Sequence, residues 1–198
     1  MTVLTDRFDE ALAYASRLHR TQIRKGSEIP YVSHLLGVAS IALENGANED
    51  QAIAALLHDA VEDQGGAEQL ETIRAKFGNS VAEMVDHCTD CDVEPKPPWR
   101  QRKEDYIDSL SHKPVSSLMV SLADKTHNAS AIVTDLISHG ASVWDRFTGG
   151  RDGTLWYYDK LAAEFERLTP GHAASRLSRA VKDMQSHEQN SRSVERPS

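Results

Sequence analysis

Apolar positions recur at helical spacing almost from the start of the chain. Phe8, Ala11, Leu12 and Ala15 fall at i, i+3, i+4 and i+7, one stripe of an amphipathic helix. Leu35 to Leu43 is apolar on most sides, which predicts a buried helix, and Asn45-Gly46 supplies its stop. Asn48 with Gln51 three residues later has the form of a capping box, opening a helix through Ile53, Leu56, Leu57 and Ala60. Ile73 to Phe77 closes at Gly78, and Val81, Met84, Val85 and Cys88 begin another short helix. The proline-rich stretch Asp90 to Pro98 predicts an irregular loop, and Trp99 to Leu110 predicts a helix. Pro114 fits a first helical position, starting a long helix through Leu118, Leu122 and Ile132. His139 to Gly153, glycine-rich and polar, predicts a second long loop. Stripes at Leu155, Tyr158, Leu161, Ala162, Phe165 and at Leu177, Ala180, Val181, Met184 predict two more helices. No strand alternation runs beyond a few residues and no repeat is visible, so the fold class is all-α. Residues 1–184 read as one helical domain, and 185–198, almost all polar, as a disordered tail.

Composition narrows the function classes. A chain of 198 residues suits one domain around a single core. No apolar run approaches the roughly 18 residues of a membrane span. Met1-Thr2-Val3-Leu4-Thr5-Asp6 has neither the basic start nor the apolar stretch of a signal peptide. Two cysteines rule out a disulfide scaffold and make a reducing cytoplasm the expected location. With 22 Lys plus Arg against 30 Asp plus Glu, the net charge is −8, which disfavours wrapping duplex nucleic acid. A small anionic ligand, held by a local basic cluster or a metal, remains compatible, and a homo-oligomer is left open.

The densest chemical signal is Leu57-His58-Asp59-Ala60-Val61-Glu62-Asp63, at the end of the buried helix. Ionisable groups there are costly in a core unless something compensates. On a helix His58 and Glu62 share a face, as do Asp59 and Asp63. An adjacent His and Asp with carboxylates one turn on suits a metal with a water beside it; the plainer alternative is a solvent-facing acidic helix end. His34 begins the buried Leu35–Leu43 segment and could equally be a hydrogen-bonded core histidine. Asp124 stands inside the long apolar helix, where an aspartate is rarely buried without a partner. Two imidazoles and two carboxylates without a thiolate leave manganese, iron, zinc or nickel open.

Here the chain resembles a known family. A histidine, then His-Asp, then a distant Asp is the pattern of HD metal-dependent phosphohydrolases. More narrowly, Arg24-Lys25-Gly26, Pro30-Tyr31-Val32-Ser33-His34, Ala54 to Asp63, Phe77-Gly78 and Leu122-Ala123-Asp124-Lys125-Thr126-His127-Asn128 are similar to the hydrolase domain of RelA/SpoT proteins, in order from about Phe8 to Asn128. The resemblance implies an HD-type helical bundle over 1–184. At this length and without a synthetase domain, it implies a stand-alone small alarmone hydrolase dependent on Mn2+. The reaction implied is removal of the 3′-pyrophosphate from guanosine tetra- or pentaphosphate. By the same resemblance, His34, His58, Asp59 and Asp124 are metal ligands, and Glu62 and Asp63 position or deprotonate the attacking water. Arg24 and Lys25 contact the nucleotide, Asn128 lies near base or ribose, and Ser33 lies close to the ligand. Adenosine 3′-pyrophosphate analogues compete with the guanosine compounds as substrate. A nucleotidase acting on nucleoside monophosphates and an inactive alarmone-binding module are the other readings.

The chemistry has reasons independent of any family. An anionic phosphoester repels hydroxide, and a cation at the reacting phosphorus both neutralises charge and lowers the pKa of water. A carboxylate that is not a ligand can take the proton. Spectator phosphates need concentrated positive charge. Arg20, Arg24 and Lys25 offer one cluster, and Lys96, Arg100, Arg102 and Lys103 a second, each with a solvated surface as its alternative. Cys88-Thr89-Asp90-Cys91 has C-x-x-C spacing but lacks a second pair and a preceding strand, so it reads as a buried plus a loop cysteine. Trp144 to Gly153 either closes over an anion with its two arginines or merely turns the chain. His127 is the remaining histidine nearest the Asp124 turn.

Overall fold

The structure, a computed structural model, describes residues 2–89, 95 and 97–194, with 188–194 as backbone alone. Cys91, Lys96 and most of the proline-rich loop therefore lie outside the described residues, as do 195–198 of the expected tail. Among the described residues the secondary structure is helical apart from one isolated antiparallel bridge, Ile23 to Pro30. The fold is all-α. The helices gather into two compact units: 1–97 with 112–124, and 98–111 with 125–198.

The first unit holds α1 (Asp6–Leu18), α2 (Val32–Glu44), α3 (Glu49–Leu57), α4 (Ala60–Gln64), α5 (Gly66–Phe77) and α6 (Asn79–Cys88), with the first turns of α8 (Val115–His139). Alanines at 11, 15, 52, 54 and 55, all fully buried, let α1, α2 and α3 approach closely, and Leu35, Val38, Ile53, Leu56 and Leu57 fill the space between them. Each such aliphatic side chain contributes about 1.5–3 kcal/mol on burial. Both halves of the capping box form: Asn48 Oδ1 accepts from the Gln51 amide, and Gln51 Oε1 from the Asn48 amide, at 2.9 Å each. The chain leaves α2 through Asn45-Gly46, with Gly46 at φ +86°, a left-handed turn suited to glycine.

The second unit contains α7 (Trp99–Ser109), the rest of α8, α9 (Gly150–Leu168) and α10 (His172–Val194). α9 and α10 pack as a pair around Leu161, Phe165, Leu177, Val181 and Met184. Helical backbone reaches Val194, inside the segment read as a disordered tail.

Three boundaries differ from those predicted. The helix opened by Asn48 stops at Leu57, and His58 and Asp59 form a turn before α4 starts at Ala60; the Asp63 amide still donates to the Asp59 carbonyl at 3.0 Å, so Asp59 and Asp63 keep the i, i+4 relation expected of them. α8 starts at Val115, with Pro114 just before it accepting from the Ser117 and Leu118 amides. The loop expected over 139–153 is instead a 3₁₀ helix, Gly140–Arg146, followed by a helix that already begins at Gly150. The physical reason is packing. A Cβ on Gly149 would stand 2.6 Å from the Trp99 ring and one on Gly153 3.1 Å from it, so these glycines, four apart on one face, are a seat for an indole.

Candidate metal centre

Three segments bring the four predicted ligands together. The first turn of α2 carries His34, the turn after α3 carries His58 and Asp59, and α8 carries Asp124. His58 Nε2 lies 2.9 Å from Asp59 Oδ2 and 3.5 Å from Asp124 Oδ1. His34 Nε2 lies 3.4 Å and 3.3 Å from the same two oxygens. One ligand atom each from His34, His58 and Asp59 falls within 4.8 Å of the others. Both rings are almost wholly buried and meet edge to face at 5.1 Å.

The donor chemistry fits a cation. His58 Nδ1 is 2.9 Å from the Ala55 carbonyl, an acceptor, so Nδ1 carries the proton and Nε2 turns its lone pair toward the two carboxylates. That Nε2 is buried, with Asp59 Oδ2 as its nearest acidic oxygen. A lone pair facing carboxylates in a buried pocket requires a positive charge between them, either a proton or a metal. In the metal-free chain the proton takes this place. Burial opposes a charged His58, but the Asp59 carboxylate, with Asp124 adding, outweighs it and holds the ring well above its ordinary 6.5. Burial likewise pushes the Asp59 carboxyl up, and the charge of His58 with hydrogen bonds from both rings brings it well below its usual range.

Around this core, the Tyr31 hydroxyl donates to Asp59 Oδ2 at 2.6 Å. Burial first, and the Asp59 charge second, raise the Tyr31 pKa, so the hydroxyl remains a donor. Arg24 stands over the Tyr31 ring, 5.8 Å from its centroid, at the end of a turn closed by the Arg24 amide on the Ile29 carbonyl. Gly26 makes that turn with φ +73°. Lys25 and Ser33 are exposed beside it. Glu62 and Asp63 are exposed on α4, just beyond the ligand turn, and Asp63 Oδ2 accepts from Gln22 Nε2 at 2.7 Å. Asn128 is half-buried on α8, one helical turn beyond Asp124.

Other sequence candidates resolve differently. In the second basic cluster, Arg100 pairs with Glu104 at 2.7 Å and lies over the Trp156 ring at 3.2 Å, and Lys103 faces Tyr157 at 5.1 Å. Of the loop arginines, Arg146 pairs with Asp135 and Arg151 with Asp152. Cys88 contacts Ser121 at 3.6 Å, and burial raises its thiol pKa. Sequence reading gave no role to Tyr31, His19 or Gln22. Gln22 and Asp63 are 41 residues apart, and no local pattern pairs an amide with a carboxylate at that distance.

Residues 11–155 match the HD domain family model. This chain belongs to the HD domain family. The HD domain chain is 38% identical over 122 residues to the guanosine-3′,5′-bis(diphosphate) 3′-pyrophosphohydrolase of Xenopus tropicalis, a match covering 60% of this chain and 65% of the relative. It is 32% identical over 128 residues to the bifunctional (p)ppGpp synthase/hydrolase SpoT of Escherichia coli K12, covering 62% of this chain and 17% of that one. The chain thus spans just under two thirds of the length of the first relative and about a sixth of the second. Among solved structures it superposes on a metazoan SpoT ortholog described as hydrolysing ppGpp, with TM-score 0.75, 28% identity, and coverage of 92% of this chain and 97% of that one. A Listeria monocytogenes EGD-e protein gives TM-score 0.66 at 33% identity, covering 75% and 96%. No helix among the described residues is long and apolar enough to cross a membrane.

Proposed function

We propose that this HD domain chain is a cytoplasmic, manganese-dependent hydrolase that removes the 3′-pyrophosphate from (p)ppGpp or (p)ppApp. The observation that carries the reading is the convergence of His34, His58, Asp59 and Asp124, with Nε2-to-carboxylate distances of 2.9–3.5 Å. The named activity of the relatives and their similarity across this same segment support the substrate class. His34, His58, Asp59 and Asp124 would hold Mn2+, which when bound neutralises phosphate charge and makes water more acidic.

The chain's own residues divide the remaining work. Glu62 and Asp63 are carboxylates outside the ligand set, suited to orient a water and accept its proton. Arg24, beside Tyr31, grips a phosphate or stacks on the purine, because guanidinium does both. Lys25 adds a mobile positive charge for the spectator phosphates, and Asn128 contacts the base or ribose. Tyr31 fixes the rotamer of Asp59 through its 2.6 Å hydrogen bond.

The deciding experiment incubates the full chain and Mn2+ with guanosine and adenosine 3′-pyrophosphate nucleotides side by side, following released pyrophosphate. Pyrophosphate release from either one is the expected result, and their ratio gives the base preference. Turnover of a deoxynucleoside monophosphate with none of the pyrophosphorylated nucleotides would replace this reading with a general nucleotidase. Nucleotide binding without any release under saturating Mn2+ would replace it with a sensor.

A further inference from the structure

We infer that Gln22 is a positioning residue for Asp63: its side-chain amide, locked by His19 and Gln64, fixes the carboxylate beside the metal centre in one orientation. The inference rests on the proposed reaction for its consequence, but not for its geometry. Asp63 is exposed on a five-residue helix, where a carboxylate ordinarily samples several rotamers. Here its Oδ2 accepts from Gln22 Nε2 at 2.7 Å.

The amide cannot reverse. A carboxylate accepts and does not donate, so the nitrogen of Gln22 faces Asp63 and the oxygen faces the other way. That oxygen accepts from Gln64 Nε2 at 2.7 Å and lies 2.7 Å from His19 Nδ1, which must therefore carry the ring proton. A flipped amide would set its N–H groups against two donors and its oxygen against a carboxylate.

The lock is itself anchored. His19 is 2% exposed, caps the end of α1 through its amide on the Ala15 carbonyl, and stacks on Tyr31 at 5.3 Å with the planes 20° apart. Tyr31 is the side chain that donates to Asp59. One buried imidazole therefore backs two arms: Tyr31 onto the ligand Asp59, and Gln22 onto Asp63. Gln22 also fixes the Arg24 turn through its carbonyl, which accepts from the Tyr31 amide at 2.9 Å, so only its side chain is free to be tested by substitution.

Two variants separate positioning from folding. Gln22→Glu keeps an oxygen that accepts from His19 and Gln64 but loses the donor to Asp63; Gln22→Leu removes all three bonds. In the manganese-loaded full chain, both should lower kcat roughly 10- to 100-fold with KM and metal content little changed, the size expected when a reacting group is misplaced. In an Asp63→Ala background, either change should lower kcat by less than about 2-fold more, since the group it acts through is gone. An equal loss in both backgrounds, or no loss in either, overturns the inference. The second readout needs no activity. Three-bond NMR couplings should report one Asp63 χ1 rotamer in the parent chain and rotamer averaging in Gln22→Glu. If the parent chain releases no pyrophosphate, the proposed function fails, and these couplings still decide the role of Gln22: an unchanged single rotamer in the variant overturns it.

Discussion

Each side chain around the metal centre has a distinct consequence when removed. Asp59→Ala deletes a proposed ligand and leaves His58 Nε2 without its nearest acid, so bound manganese measured by elemental analysis and hydrolysis should both fall to background. Tyr31→Phe removes only the 2.6 Å donor to Asp59; metal affinity should weaken about 10- to 100-fold, the usual effect of losing a bond behind a ligand, while the fold is kept. Glu62→Gln should keep the metal yet slow turnover at least about 10²-fold, in the range of a lost acid–base group. Arg24→Ala should raise KM more than it lowers kcat; the reverse split would place Arg24 at the reacting phosphate. The residues that gather at the candidate centre stood out because His-Asp at a buried helix end and an aspartate on an apolar helix both break the ordinary pattern. Gln22 and His19 break no pattern, and only proximity gives them a role.

At the scale of elements, patterning placed the helices and missed some of their ends. The stripe at Leu161 and Phe165 belongs to a helix that begins earlier than its apolar residues do, because Gly149 and Gly153 serve packing rather than a turn. Gly149→Ala would drive a methyl to 2.6 Å from the Trp99 ring, and destabilisation of roughly 1–3 kcal/mol is expected in urea unfolding. Gly153→Ala, with 3.1 Å of clearance, should be milder. The break between α3 and α4 was equally invisible: Leu57 to Asp63 has helical composition throughout, yet the chain turns at His58 and Asp59, whose side chains gather with His34 and Asp124.

For the molecule as a whole, the His58–Asp59 pair of the candidate metal centre links stability to pH. His58 in the metal-free chain is raised above 6.5, so its pairing with Asp59 stabilises fully below that pH and is lost as pH rises through the raised value. Asp59 is lowered below its ordinary 3.8, so its contribution is present above that value and is lost as pH falls through the lowered one. The thermal midpoint of the chelator-treated chain should accordingly decline as pH is raised above 6.5, and again below 3.8; added Mn2+ should reverse the alkaline decline, since cation and proton compete for the same lone pairs. Scanning calorimetry with and without chelator checks both limbs. The sequence by itself determined the all-helical class, the capping box at Asn48 and the acidic balance, and it singled out the candidate ligand residues, because periodicity, caps, charge and motifs are local properties of a chain. Tertiary structure alone decided that His34, His58, Asp59 and Asp124 meet, that Tyr31 reaches Asp59, and that Gln22 reaches Asp63, because each contact joins segments far apart in sequence and depends on how alanine-lined helices settle against one another.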